Sequence, residues 1–142
     1  MKAYEIADTF RAAFAGDATF TGKTVAVAQT GIRPTRPSIT FECTSLPMNA
    51  SGSALNYTLH AWVESNADKA VPTDPDPGIA HGALVDAVRA KLVGTGKSTL
   101  LDALNALAVF DFRGWSASQS EPAISDLHFR TPISIAGTLL VL

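Results

Sequence analysis

The stretch from Leu55 to Glu64, LNYTLHAWVE, constrains the fold of this chain more than any other part of the sequence. Every second side chain from Leu55 to Val63 is apolar or aromatic, and most of the side chains between them are polar. Because successive side chains of a β-strand point to opposite faces, this alternation predicts a long strand with one face on a hydrophobic core. Strands of this kind belong to antiparallel or mixed sheets that helices cover on one side. Trp62 interrupts the polar face, so we expect a helix or a second subunit to cover part of that face as well.

The order of the other elements predicts the fold class. Apolar side chains at three- and four-residue steps predict helices at 3–14, 79–93 and 98–108. Alternating side chains predict strands at 24–29, 38–44, 55–64, 110–116 and 126–142, and the proline-rich residues 65–78 predict a loop. One helix, three strands, two helices and two strands predict an α+β fold, with a mixed or mostly antiparallel sheet of about five strands and helices packed on one face.

Length and charge narrow the classes of protein that fit. A chain of 142 residues suits one hydrophobic core, so we expect a single domain spanning residues 1–142. The formal net charge is -2, which predicts no sequence-specific nucleic-acid binding. Only 17% of the residues are charged, below the usual quarter. Two explanations of this low charge stay open: a well-filled core with many alanines, or a surface partly buried by partners.

The cysteine content and the hydropathy pattern predict a cytoplasmic place of synthesis. Cys43 is the only cysteine, so no disulfide forms within the chain, and its place in the predicted strand indicates a small core residue. The first residues lack an apolar segment of signal-peptide length, and no uncharged apolar run reaches the ~20 residues that span a bilayer. We therefore expect no membrane partner.

Two motif-like patterns fail on their spacing. The sequence GTGKST at 94–99 resembles a phosphate-binding loop, but Lys91 stands where the pattern needs its first glycine, and a predicted helix precedes it instead of a strand. The histidines His60, His81 and His128 are far apart in sequence, and a single cysteine cannot complete a zinc site. We therefore expect neither nucleotide binding nor a metal site.

The remaining polar patterns also lack a catalytic constellation. Asp68, Asp74 and Asp76 are interleaved with prolines in a way that no calcium loop shows, which indicates a solvated acidic loop. No nucleophile motif such as GxSxG is present. The sequence therefore predicts no enzyme, no catalytic residue and no cofactor.

Seven residues are candidates for contacts with another subunit or a partner: Arg33, Arg36, Trp62, Asp74, Asp76, Arg113 and Trp115. The loop arginines Arg33 and Arg36 lie beside prolines and suit phosphate or an acidic partner. Trp62 and Trp115 both fall on the more polar side of their predicted strands, and tryptophan is enriched in interface hot spots. Helices covering that face of the sheet would explain the tryptophans equally well.

The layout of the chain resembles the tail terminator or tail-completion proteins of long-tailed bacteriophages. The resemblance covers most of the chain and depends on the order and hydrophobic profile of its elements. Its carriers are the short N-terminal helix, the strands RPSITFECTS and LNYTLHAWVES, the main helix HGALVDAVRAKL, the short helix LLDALNAL and the closing strand DLHFRTPISIAGTLLVL. The proline-rich insertion VPTDPDPG and the hydrophobic C-terminus are not placed on the family pattern.

This resemblance implies a non-enzymatic structural protein of the virion, located in the tail or neck and assembled in the host cytoplasm. It implies a closed ring of about six copies that ends the tail tube and receives the head-side connector. The implied partners are other copies of the chain, the tail tube protein and the head–tail connector protein. Two alternatives stay open: another connector, stopper or minor tail protein, or a small bacterial enzyme or ligand-binding α+β domain with a concave polar pocket.

Overall fold

The computed structural model describes residues 2–68, 72–73, 76–118, 123–124 and 128–142. Within these residues the chain forms helices α1 (Lys2–Ala15), α2 (Pro77–Val93) and α3 (Lys97–Ala106), with a 3-10 turn at Ala18–Phe20. The strands are β1 (Thr24–Val27), β2 (Ser38–Pro47), β3 (Ala54–Asn66), β4 (Phe110–Ser118), β5 (Ala123–Ile124) and β6 (His128–Val141). The predicted elements are all present, and the short strand β5 is an addition to them.

The strands form one mixed sheet in the order β1-β2-β3-β6-β4. Strand β1 runs parallel to β2, and every other neighbouring pair in this order is antiparallel. The two-residue β5 pairs with the start of β6 on the edge that β4 also occupies. This arrangement is an α+β fold, so the predicted fold class is confirmed.

The helices cover one face of this sheet. Helix α1 packs on β1 and β2, α2 packs on β3 and β6, and α3 packs on β4 and α2. The apolar side chains of β3 point to this side and are almost fully buried: Leu55, Tyr57, Leu59, Ala61 and Val63. The alternation in the sequence therefore predicted the core face of β3 correctly, because the period of two is a local property of an extended chain.

Phe10 of α1 lies at the centre of an aromatic cluster in the core. Its ring centroid lies 5.5 Å from that of Phe112, 5.6 Å from that of Trp115 and 6.3 Å from that of Phe41. The first two pairs have the edge-to-face geometry that adds about 1 kcal/mol to the burial of each ring. One side chain thus connects α1 to both β2 and β4.

A β-bulge in β4 turns Trp115 toward the helices. The pairing of β4 with β6 shifts between Phe112 and Trp115, which pairs with Gly137. Gly114 lies in this shift with a φ of 102°, a conformation that glycine adopts without strain. The extra residue reverses the alternation. Trp115 is consequently only 6% exposed, and its Nε1 donates a hydrogen bond to the carbonyl of Leu92 at 2.7 Å. The alternation predicted Trp115 on the more polar side of its strand, and the bulge turns it to the helix-covered face instead. Its burial therefore removes Trp115 from the candidate interface residues and favours the alternative that helices cover it.

His81 of α2 is buried where the helix crosses the sheet. Its Nδ1 lies 2.9 Å from the hydroxyl of Ser65 on β3, and its Nε2 lies 2.8 Å from the hydroxyl of Thr131 on β6. The imidazole also stacks on Phe129, with ring centroids 5.3 Å apart. Burial lowers the pKa of His81 below its usual 6.5, because the charged ring would lose its hydration.

The free energy of unfolding is expected to fall as the pH drops below 6.5. The unfolded chain takes up a proton on His81 near pH 6.5, whereas the folded chain takes it up only at its lowered pKa. Between these two values the unfolded state binds more protons, so acid favours it. Urea titrations from roughly pH 5 to 7 should show this slope in the wild type and a weaker one in His81→Gln. An unchanged slope in that variant would contradict the assignment.

Candidate functional site

The helix-free face of the sheet carries an open cleft of about 360 Å³. One wall is the segment 28–36, which connects β1 to β2, and the floor is the outer face of β2, β3 and β6. The strands contribute Thr40, Glu42, Trp62, Glu64, His128 and Arg130 to this floor. We call this feature the sheet-face cleft. Its residues lie on the polar side of strands whose other side is in the core, so the alternation that builds the core also builds the cleft.

Trp62, Arg130 and Glu64 form a stack on the floor of the cleft. The strand register places Glu64 directly opposite Arg130, and the Nε of Arg130 donates to Glu64 Oε1 at 2.8 Å. The guanidinium carbon of Arg130 lies 3.5 Å from the ring centroid of Trp62. Each contact contributes about 1 kcal/mol or less on a partly exposed face. The stack therefore mainly holds the indole ring in one orientation.

The wall of the cleft is held by contacts at both of its ends. The backbone N–H of Ile32 donates to the carbonyl of Gln29 at 3.2 Å, and the Gln29 side chain donates to Tyr4 Oη at 3.0 Å. Pro34 restricts the backbone between these residues and Arg36. Arg36 Nη1 lies 3.5 Å from the Asn66 side-chain oxygen, at the end of β3. The wall therefore connects α1, β1 and β3.

The charges of the cleft are unevenly matched. Arg130 and Glu64 pair with each other. Among the residues that the structure describes, Arg33, Arg36 and Glu42 form no ion pair. The unmatched groups therefore leave an excess of positive charge on the wall, with one carboxylate on the floor.

Trp62 also has an unsatisfied polar atom. Its Nε1 is shielded from solvent and has no hydrogen-bond acceptor within the described part of the chain. A buried donor without an acceptor costs roughly 1–3 kcal/mol. The outer face around Trp62 is therefore poorly optimised for the stability of the isolated chain.

The structure brings together three of the seven candidate interface residues. Arg33, Arg36 and Trp62 all line the sheet-face cleft. Arg113 lies elsewhere, on the bulge of β4, with its guanidinium 2.9 Å from Asp111 Oδ2. Trp62 reaches the cleft from the outer face of β3, and Arg33 and Arg36 reach it from the connection between β1 and β2.

The other candidates have different places. Asp76 caps the start of α2, where its Oδ1 accepts a hydrogen bond from the N–H of Gly78 at 2.8 Å. Trp115 belongs to the core. Asp74 lies outside the described residues. Asp76 thus acts as the N-cap of α2, a common role for aspartate, because its carboxylate accepts from an N–H group that has no partner within the helix.

The sequence analysis missed Glu42, Glu64, His128 and Arg130 as residues of the site. Their places on the polar side of β2, β3 and β6 could be derived from alternation. Their convergence depends on which strands are neighbours and in which register, and alternation carries no information on either. Arg130 and Glu64 are separated by 66 positions in sequence and still face each other directly.

A histidine–serine contact lies on the same face of the sheet. His60 Nδ1 is 2.6 Å from Ser134 Oγ. Ser134 is almost fully buried, and its strand pairs with neighbours on both sides, so the backbone N–H groups around it are used in the sheet. An acyl-transfer site needs free N–H donors beside its nucleophile. This contact therefore fits a structural cross-strand pair.

Neither a metal site nor a reactive thiol is found among the described side chains in or near the cleft. No three His, Cys, Asp or Glu residues among them lie close enough to hold a metal ion. Burial raises the pKa of the Cys43 thiol to about 12, so this cysteine stays protonated and is a poor nucleophile. The arrangement of ring, guanidinium groups and carboxylates suits non-covalent binding.

Two further findings bear on the class of protein. No helix in the described ranges has both the length and the hydrophobicity required to cross a bilayer. Comparison of the sequence with models of known protein families and with curated protein sequences finds no match.

Proposed function

We propose that this chain is a non-enzymatic structural protein of a phage virion, which forms a closed ring at the end of the tail tube and joins the tube to the head-side connector. The observation that carries the proposal is the helix-free face of the sheet. Three helices cover one face, whereas the other face presents Trp62 under a guanidinium group and beside two arginines that form no ion pair with any residue the structure describes. Tryptophan and arginine are enriched at the centres of protein interfaces.

A second surface supports assembly with other copies or with partners. Leu46, Met48, Val109 and Leu142 are large apolar side chains that are 45–72% exposed. Backbone hydrogen bonds place them at one end of the sheet: Met48 N bonds to the Ala54 carbonyl, and Leu142 N bonds to the Val109 carbonyl. We call these four residues the apolar rim. Exposed apolar clusters of this kind mark interaction sites.

The two surfaces lie at opposite ends of β3. On β3, about 26 Å of strand at roughly 3.3 Å per residue separates Ala54, beside the apolar rim, from Trp62 in the sheet-face cleft. On β2 the two surfaces come closer, with about 13 Å of strand between Leu46 and Glu42 at the same rise. A ring between two partners needs contacts with neighbouring copies and contacts with the structures above and below it. Different surfaces on one chain allow head-to-tail contacts between copies. Such contacts close into a ring when the rotation from each copy to the next brings the last copy back to the first.

The β4 edge of the sheet is unsuited to pairing with another strand along part of its length. Asn105 of α3 accepts a hydrogen bond from Phe112 N at 2.7 Å and donates one to the Phe112 carbonyl at 3.3 Å. Lys97 Nζ donates to the Trp115 carbonyl at 2.7 Å. These side chains use backbone groups that an added strand would need. We therefore place the contacts between copies at the apolar rim and at the part of the helix-free face outside the sheet-face cleft.

Native mass spectrometry of the purified chain, alone and with tail tube protein, tests this function. We expect a closed ring of about six copies that binds the tube. Leu46→Glu with Met48→Glu should dissociate the ring or release the tube. Ile79→Glu is the matched control, because Ile79 is equally exposed but lies on α2. A chain that stays monomeric and ignores the tube would contradict the proposal. A ring that binds only a head-side protein would favour a stopper or connector.

The sheet-face cleft supports a second candidate function, a ligand-binding α+β domain. Its volume of about 360 Å³ lies at the lower end of the range for small-molecule sites. This candidate predicts a monomer whose melting temperature rises with a small anionic ligand. The mass measurement above separates the two candidates, because only the structural protein requires an assembly.

A further inference from the structure

We propose that the sheet-face cleft binds an acidic peptide segment of a partner protein, with carboxylates of the segment pairing with Arg33 and Arg36 and an apolar side chain packing on Trp62. This inference rests on the proposed function for the expectation of a protein partner. The contact itself is a property of the single chain and does not require a ring.

The charges of the cleft favour an anionic segment. Arg130 is already paired with Glu64, so neither group is free to recognise a ligand. Arg33 and Arg36 form no ion pair among the described residues, and Arg33 is exposed. Guanidinium groups present several fixed donors that match the two oxygens of a carboxylate. Within the described residues, an anion therefore has two guanidinium groups on the wall of the cleft that no carboxylate already pairs, and one of them also contacts the Asn66 side chain.

Carboxylates suit this cleft better than phosphate does. Glu42 lies on the floor without an ion pair in the described part of the chain, and the Glu64 carboxylate is nearby. A phosphate group carries close to two negative charges and would be repelled by these carboxylates more strongly than a singly charged group. Carboxylates that carry one charge each and approach the arginines separately therefore suit the cleft better than a phosphate does.

The shape of the cleft favours a polypeptide over a small acid. The cleft is only partly enclosed, so a small molecule in it would stay in contact with solvent, whereas typical ligand pockets bury most of their ligand. Apolar and aromatic groups, Ile32, Pro34 and Trp62, lie among the charged ones. A peptide can place an apolar side chain on these groups and charged side chains on the arginines at the same time. A small acid would use only part of the surface.

The Trp62 ring and the backbone of the wall are held by contacts within the chain. Arg130 holds the Trp62 ring from one side at 3.5 Å, and the hydrogen bond between Ile32 and Gln29 holds the wall. Ordered groups lose less conformational entropy on binding, which raises affinity for a given set of contacts.

Nuclear magnetic resonance with two capped peptides tests the inference. The probes are acetyl-Glu-Leu-Glu-amide and its neutral analogue acetyl-Gln-Leu-Gln-amide, added to the full chain up to about 10 mM, where weak contacts become visible. The indole N–H signal of Trp62 should shift with the acidic peptide. The signal of Trp115 should stay in place, because this indole is buried and bonded to Leu92. Trp62→Phe assigns the two signals.

Variants distinguish recognition by the arginines from general charge effects. Arg33→Gln with Arg36→Gln should weaken binding of the acidic peptide by at least about tenfold. Arg89→Gln, the matched control, removes an exposed arginine of α2 and should leave binding unchanged. Glu42→Gln should strengthen binding, because it removes a repelling carboxylate. This increase in affinity cannot arise from unfolding of a variant.

The inference would be overturned if the two peptides bound equally, or if the Trp62 signal did not shift. It would also be overturned if the Arg89 variant lost as much affinity for the acidic peptide as the double arginine variant. Free glutarate binding as tightly as the peptide would indicate a site for small acids instead. The outcome is separate from that of the ring. A chain that forms a ring but ignores the peptide refutes only this inference, and a monomer that binds the peptide refutes only the proposed assembly.

Discussion

Gly137→Ala is expected to lower the free energy of unfolding by about 3 kcal/mol or more. A Cβ atom at this position would clash with the carbonyl oxygen of Gly114 and would lie 3.0 Å from both the Trp115 Cβ and the Tyr57 hydroxyl. The closest of these atoms belongs to the backbone of the neighbouring strand, which cannot move without breaking the pairing of β4 with β6. Overpacking at such a site is relieved only by separating the strands at the bulge.

Urea unfolding followed by circular dichroism measures this effect. Gly82→Ala is the control, because no heavy atom lies within 4 Å of its added Cβ and the residue is in the interior of α2. This control should raise the free energy of unfolding by roughly 0.5–1 kcal/mol through its higher helix propensity. Similar values for both variants would show that β4 and β6 do not approach each other as described.

Phe10→Ala should cost about 3–5 kcal/mol of stability. The side chain is fully buried and contacts Phe41 and Tyr57 as well as the rings at the bulge. Removing the ring leaves a cavity between α1 and the sheet, because the surrounding structure relaxes only partly around the missing side chain. The same urea measurement gives the loss, and detachment of α1 should also make its amide protons exchange faster.

Two further variants of α1 calibrate that result. Phe10→Leu keeps most of the apolar volume and should cost much less than the alanine variant. Lys2→Ala removes an exposed ion pair with Glu5 on the same helix and should change stability by less than about 0.5 kcal/mol. If Phe10→Ala behaved like Lys2→Ala, the helix would not be packed on the sheet through this residue.

Much of the fold could be predicted because its signals are local. The alternation from Leu55 to Val63 is set by the geometry of one strand, and the burial of these side chains follows it. Helix α2 likewise buries Leu84 and Val88, which lie four residues apart in the predicted helix, and its buried face also includes His81. The imidazole of His81 is buried without an unsatisfied nitrogen because the hydroxyl groups of Ser65 and Thr131 form hydrogen bonds with it.

The candidate site could be predicted only in part. Trp62 was recognised because a large aromatic residue on a polar strand face is unusual, and Arg33 and Arg36 because they lie in a proline-rich connection. Glu64 and Arg130 were missed as partners of Trp62, because their contact depends on the register between two distant strands. Alternation only restricts the register to shifts of two residues, and the choice among these depends on turn geometry and on the pairing of the whole strands.

The sequence by itself determined the type and order of the long elements and the inner face of β3, because periodicity is a property of each segment alone. Only the tertiary structure decided where the two tryptophans lie. One extra residue at Gly114 reverses the alternation of β4 and sends Trp115 into the core, whereas β3 keeps its alternation without interruption and leaves Trp62 on the outer face. A bulge is defined by the pairing of two strands, so no pattern within one strand can reveal it.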